Sequence, residues 1–422
     1  MNKKLFKLAS EKHLEQFQIM KIKTEKVDIN TFNEKIDKFE ISIIENYVIS
    51  GLYQDKEVRL YTESLEENII EELIEQAEYL DVKTLPTTTN LENIRETKTY
   101  QINNLDDITT KMLNLNKFKS KYHNLKEINS YYTENVIERT ITTETNELYD
   151  TKKEKNFEVK VVISENGKNS TAHDSKSNID DSDIDLEALT KEVIQNAIDK
   201  LSYQEIQSGT YKVILTSKVM GNILNELYGL FSADKIQKDI SLLVGKQGSQ
   251  VFSNKITIVE DPSNPKLLGK RLFDDTGKIT QYKEIVQNGI FKQPLYDEKT
   301  AKIDKVQSTG NDYGEISPRN MYIKKGKKSL EDLIKVVDNG ILIDSVEGLL
   351  VGVNEVTGNI SLQSEGYYIK NGNKQYATKL FVLSTNIMDI LNNVIDISNH
   401  IEFYLPTTAS PDLLLENIQI SK

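Results

Sequence analysis

Val286-Gln287-Asn288-Gly289-Ile290 carries the clearest signal of a strand reversal in this sequence. Asn-Gly between β-branched apolar residues signals a two-residue hairpin, because both central positions of that turn need positive φ and Asn and Gly reach it at least cost. Working outward, similar punctuation recurs. Phe273-Asp274-Asp275-Thr276-Gly277-Lys278 reads as a hairpin turn, and Val336-Val337-Asp338-Asn339-Gly340 is a third turn carrying Asn-Gly. Val356-Thr357-Gly358-Asn359 and Lys370-Asn371-Gly372-Asn373 continue the series, and residues 211–216 and 255–259 read as strands. Turns at this spacing predict a largely antiparallel β unit.

That punctuation is confined to one half. Of 19 glycines only Gly51 and Gly167 precede Gly209, and of seven prolines only Pro86 precedes Pro262. The expected organisation is an N-terminal α+β domain, residues 1–204, followed by a β-rich domain, residues 205–422; the fold class is α+β. In the first half, Ser64-Leu65-Glu66-Glu67 reads as a capping box. Leu65, Ile69, Ile70, Leu73, Ile74, Ala77 and Leu80 then make the apolar stripe of a helix. Asp185 is a plausible N-cap for a second helix with its stripe on Leu186, Leu189, Val193, Ile194, Ala197, Ile198 and Leu201. Residues 40–50 and 57–62 read as strands around the turn Gln54-Asp55-Lys56, and residues 157–164 as another strand. The polar residues 165–184 read as a mobile loop or crossing segment.

Composition excludes several chemistries. A net charge of −12 disfavours direct binding of nucleic acid, which needs Lys and Arg to neutralise phosphates. The absence of cysteine removes disulfides, thiolate metal sites and a Cys nucleophile, and fits a cytoplasmic protein. No apolar run of signal-peptide or membrane-spanning length is present. The four histidines, His13, His123, His173 and His400, stand far apart and none lies in an H-E-x-x-H setting. Neither a G-x-S-x-G elbow nor a phosphate-binding glycine loop occurs, and Gly245-Lys246-Gln247-Gly248 is only a glycine-rich turn. The adjacent pairs Asp274-Asp275 and Glu260-Asp261 read as turn residues rather than acid/base dyads, since neighbours on a strand face opposite ways. Arg319-Asn320 could set a guanidinium beside a carboxylate, for structure or for a ligand.

The order of these segments resembles the TldD/PmbA ("modulator of DNA gyrase") family over residues 205–422. The resemblance is carried by Phe273-Asp274-Asp275-Thr276-Gly277, Asn288-Gly289-Ile290-Phe291 with Leu295-Tyr296-Asp297 and Thr300-Ala301, Ser308-Thr309-Gly310-Asn311, Arg319-Asn320, and Thr357-Gly358 before Ser364-Glu365-Gly366-Tyr367. Over the first half it is looser, resting on Ser50-Gly51-Leu52 and the helix after Thr62, in a glycine-poor version of the family's pattern. The TldD-like branch carries H-E-x-x-x-H and a downstream Cys that hold a metal. Here Asn225, Glu226 and Leu230 stand at those positions and the Cys is missing, so the resemblance is to the PmbA/TldE-like branch.

It implies a non-catalytic subunit of a metalloprotease complex acting on unstructured peptides. The partner would be a TldD-like subunit in a heterodimer, zinc would reside only in that partner, and this chain would hold no cofactor. Peptide-facing positions would lie at Asp274, Asp275, Gly277, Ser308, Thr309, Gly310, Asn311, Arg319 and Asn320, with an extended peptide held by strand addition. The alternatives are a stand-alone binding or scaffold protein, as a homodimer without peptidase activity, and an enzyme using Glu226 and Asp274.

Overall fold

A computed structural model describes residues 2–80, 93–179 and 184–422. Long uninterrupted strands build the first half: β1 (Glu15–Phe32), β2 (Lys35–Tyr53), β3 (Lys56–Thr62), β4 (Leu125–Thr142), β5 (Glu147–Glu165) and β6 (Lys168–Ile179). They form one antiparallel sheet in the order β3-β2-β1-β4-β5-β6. Two of its turns have both central residues in the left-handed region, Gln54/Asp55 (φ 49° and 63°) and Asn166/Gly167 (φ 50° and 79°).

The second turn corrects the reading of residues 165–184. Residues 165–179 belong to the β5–β6 hairpin, and residues 180–183 lie outside the described residues. The polar composition misled because β6 is an edge strand. Its apolar positions are only Ala172 and Ile179, while Asn166-Gly167 was the hairpin signal.

Helices cover one face of this sheet. Helix Leu105–Leu113, capped by Asn104, and helix Leu186–Lys200 pack over Val27, Ile29, Ile128, Tyr132, Phe157, Val159 and Val161. The Asp185 carboxylate accepts from the Ala188 amide at 2.9 Å, as its N-cap position predicts. Helices Asn2–Glu11 and Ile69–Glu78 pack on Phe17, Ile19, Ile49 and Val58. The Ser64 capping box is absent: the helix starts at Ile69 behind Asn68, and the Ser64 hydroxyl instead faces Glu66. The apolar stripe itself is as expected, with Ile69, Ile70, Leu73 and Ala77 buried.

The second half contains β7 (Gly209–Leu215), β8 (Ile258–Glu260), β9 (Lys283–Gln287), β10 (Ile290–Phe291), β11 (Met321–Ile323), β12 (Gly340–Glu347), β13 (Asn359–Lys370), β14 (Asn373–Ala377), β15 (Phe381–Asn386), β16 (Val394–Glu402) and β17 (Thr408–Ser421). The pairings β17-β15-β13-β12-β7, with β7 returning to β17, close into a barrel. Most are antiparallel; β12–β7 and β11–β17 are parallel.

Strand alternation sorts the core. Val213, Leu215, Leu413 and Leu415 belong with helix Ser217–Glu226, while Ile214, Leu342 and Leu414 belong with helix Leu330–Val337. Asn288-Gly289 makes the expected β9–β10 turn and Asn371-Gly372 the β13–β14 turn. Asn339-Gly340 instead joins helix Leu330–Val337 to β12. Among the described residues no helix is long and apolar enough to cross a membrane.

Candidate functional site

The residues singled out from the second half meet in a buried polar cluster. β8 ends on Glu260, which has no exposed surface. Its Oε2 accepts from Lys283 Nζ at 2.6 Å, from β9, and its Oε1 accepts from Asn311 Nδ2 at 2.8 Å and the Arg319 amide at 2.7 Å. One carboxylate thus ties β8, β9 and two loops together. The expectation that Glu260 is a turn residue fails. It sits two positions after Ile258 on the same strand face, which was the signal for an inward side chain.

Asp274 is also wholly buried and closes its own turn. Oδ1 accepts from the Thr276 amide at 3.0 Å, the Thr276 hydroxyl at 2.7 Å and the Lys278 amide at 3.0 Å, while Oδ2 accepts from the Asp312 amide at 3.2 Å. Gly277 takes φ 87° in this turn and Gly310 takes 73°. Burial, with help from the Asp312 carboxylate, pushes Asp274 up to about 7 against the pull of those donors. Arg271 pairs with Asp275 at 2.7 Å. Tyr313 lies between two guanidiniums, 4.9 Å from Arg271 and 4.0 Å from Arg319.

The remaining positions brace this cluster. Ser308 and Thr309 donate to the Tyr296 carbonyl, and Thr309 also to Asn311 Oδ1 at 2.7 Å. Asn320 accepts from the Gly269 amide at 2.7 Å and donates to the Asp261 carbonyl at 3.1 Å. Asp274, Asn311 and Asn320 show no surface, whereas Asp275, Thr309 and Arg319 are half-buried. Sequence reasoning missed Lys283, Arg271, Tyr313, Asp312 and Arg59. These come from separate segments, and only the fold juxtaposes them.

The first sheet completes the surroundings. Arg59 on β3 reaches Asp312 Oδ1 at 3.4 Å, and Gln18 on β1 donates to the Asp275 carbonyl at 2.9 Å. Beside this junction lies a cavity of about 870 Å³ whose lining includes His13, Glu15, Gln18, Glu57, Arg59 and Thr276.

A resident metal is the chemistry implied by the TldD-like motif, and the donors here do not fit one. Asn225 lies in the last turn of helix Ser217–Glu226; its Oδ1 accepts from the Thr407 hydroxyl, and its Nδ2 donates to Glu226 at 3.4 Å. Leu230, in the turn Tyr228–Phe231, is packed in the largest apolar core. Only Glu226 offers a ligand of the kind zinc prefers. Among the described residues no group of three or more His, Cys, Asp or Glu is placed to hold an ion, and all four histidines are exposed and scattered. This helix end neighbours the polar cluster: Thr407, which holds Asn225, passes its carbonyl to the Met321 amide, and Tyr228 donates to Glu315 at 2.7 Å.

Residues 208–422 match the PmbA/TldA metallopeptidase C-terminal domain. The chain is 26% identical over 294 residues to a "Metalloprotease PmbA homolog" of Buchnera aphidicola, covering 70% of this chain and 64% of that one. It is 30% identical over 276 residues to a "Metalloprotease TldD homolog" of the same organism, covering 60% and 56%. The match therefore spans less than two thirds of the length of either curated relative. Among solved structures, a proposed modulator of a DNA gyrase from Thermotoga maritima superposes with a TM-score of 0.90 at 25% identity, over 100% of this chain and 99% of that one. TldE from Thermococcus kodakarensis shares the fold, with a TM-score of 0.84 at 20% identity over the whole of both chains. With half of its length matched by the family's C-terminal domain, the chain belongs to the PmbA/TldD metallopeptidase family.

Proposed function

We propose that this chain is the PmbA/TldE-like subunit of a two-subunit cytoplasmic metallopeptidase, lending peptide-facing surface while a TldD-like partner holds the zinc. The observation that carries the reading is the donor set at the helix end. Asn225 is engaged by Thr407 and Leu230 is sealed in the core, so neither offers a ligand. The names borne by relatives, PmbA and TldD metalloproteases, support the reaction class for the assembly. Substrates are unstructured peptides, held in extended form through main-chain hydrogen bonds that carry little sequence preference. Half-buried Asp275, Thr309 and Arg319 are the polar groups best placed to meet such a peptide, with the buried Glu260–Lys283–Asn311 cluster fixing the loops that bear them.

The test is reconstitution. Purified alone, the chain is expected to carry no stoichiometric zinc by plasma mass spectrometry and to leave an unfolded peptide intact. Mixed with a TldD-like subunit it is expected to co-elute and to raise peptide cleavage above that of the partner alone. A partner that is fully active alone and never binds this chain defeats the reading, as does one zinc per isolated chain.

A further inference from the structure

The chain has five arginines, Arg59, Arg95, Arg139, Arg271 and Arg319. Four of them meet a carboxylate of their own chain. Arg59 meets Asp312 at 3.4 Å, Arg95 meets Glu147 at 3.3 Å, and Arg139 and Arg271 meet Asp150 and Asp275, each at 2.7 Å. Among the described residues Arg319 alone of the five forms no ion pair, although it is half-buried.

Its neighbours do not make good the difference. Glu260 accepts from the Arg319 amide at 2.7 Å but pairs its charge with Lys283; Asp275 is taken by Arg271 and Asp312 by Arg59. Asp274 uses both oxygens within its own turn and on the Asp312 amide, and Glu315 accepts from the Tyr228 hydroxyl at 2.7 Å. The cluster therefore holds one guanidinium in excess of its ion pairs, and burial and the Arg271 charge both weigh against that cation. The side chain is also aimed. Its guanidinium lies over the Tyr313 ring, 4.0 Å from the centre, and Nη1 donates to the Pro318 carbonyl at 2.9 Å and to Ser317 Oγ at 3.4 Å. Nε and Nη2, the edge that receives a carboxylate side-on, find no acceptor among the described residues. Neither is among the buried atoms left without a partner, so this edge reaches the surface.

We infer that the Nε–Nη2 edge of Arg319 is a receptor for a carboxylate of an extended peptide. The inference rests on the peptidase reading for the peptide; the carboxylate follows from the unmatched fork itself. Every peptide supplies the group at its free C-terminus, and some supply it on an Asp or Glu side chain. Main-chain pairing carries little sequence preference and fixes no register along the strand. Two parallel charge-assisted hydrogen bonds from a rigid guanidinium supply that register by anchoring one point of the peptide.

The test titrates the full chain by calorimetry with one unstructured peptide in three forms: without acidic residues and with a free C-terminus, the same peptide amidated, and the amidated peptide carrying one glutamate. The free acid is expected to bind about tenfold tighter than the plain amide, or more. Arg319→Lys keeps the charge and the backbone amide that Glu260 uses but loses the fork, and is expected to erase most of that difference. A glutamate form that matches the free acid shows that a side-chain carboxylate is accepted; one that matches the plain amide assigns the site to the chain terminus. Equal or absent binding of all three forms by the native chain overturns the inference without requiring any variant to fold. So does an acid preference that a folded Arg319→Lys chain retains. The two readings fail separately. A pair with a TldD-like subunit that cleaves all three forms equally well keeps the peptidase reading and defeats this one. Acid-selective, Arg319-dependent binding by a chain that never supports cleavage does the reverse.

Discussion

At the scale of single residues, Glu260 is the side chain on which the candidate site depends. It is fully buried and meets a buried ammonium, a side-chain amide and a backbone amide. Such a cluster is costly to break on one side, because what remains is a desolvated charge without its counterion. Glu260→Gln removes the counterion of Lys283 and replaces one acceptor oxygen by an NH2 donor, which must then face either the Lys283 ammonium or the Asn311 and Arg319 N–H groups. The expected loss is about 3–5 kcal/mol in urea unfolding at neutral pH. The double variant Glu260→Leu with Lys283→Met, which removes both charges, should lose clearly less. Equal losses would show that the charge pair is not what holds β8 to β9. The same logic explains why Asp274 and Asn320 belong to the supporting structure: their acceptor atoms are already used by backbone amides, those of Thr276, Lys278 and Asp312 for Asp274 and that of the distant Gly269 for Asn320.

At the scale of elements, what was legible in the sequence were the local signals and what was hidden were the meetings between distant segments. Asn288-Gly289 specified its turn because the required φ values leave few alternatives, and Asp185 marked a helix start because a side-chain cap is a one-turn interaction. The Ser64 box had the right residues and lost to the helix beginning at Ile69, where packing on β2 and β3 decides. Residues 165–179 were obscured because an edge strand needs no apolar alternation. At the site, Asp274, Asn311 and Arg319 were found through motif order, but Lys283, Arg271 and Tyr313 carry no signal until the chain folds. Helix Ser217–Glu226 yields the element's prediction. Restoring histidines by Asn225→His with Leu230→His is expected to confer no stoichiometric zinc, since side chain 230 points into the apolar core, and to lower the melting temperature. Tight one-to-one zinc binding by a folded double variant would show that the helix end retains a competent metal geometry.

At the scale of the whole molecule, a polar seam surrounds a small apolar contact between the two sheets, in which Phe273 packs with Met20, Val48, Ile141 and Leu148. Asp150 on β5 accepts from Arg139 Nε of β4 at 2.7 Å and, through its other oxygen, from the Leu272 amide of the second half at 3.0 Å. Lys270 reaches back to the Thr151 carbonyl at 2.9 Å and to Glu96. At the other end Lys218 meets Asp174 at 2.6 Å and Lys176 meets Glu402. Burial works to raise the Asp150 carboxyl, but the Arg139 and Arg271 guanidiniums outweigh it and hold the group below the ordinary range. A depressed folded value means that the unfolded chain binds the proton more readily. The stabilisation is therefore complete above the unfolded value of about 4 and is lost as pH falls through the folded one. Asp150→Asn removes that contribution at every pH. It is expected to cost about 3–5 kcal/mol at pH 7, where Arg139 is left buried without its carboxylate. Relative to this variant, the native chain should lose its advantage progressively as pH falls below about 4 in urea unfolding. Unfolding free energies of the two that stay parallel across that range would mean that the seam is held by packing and not by this carboxylate.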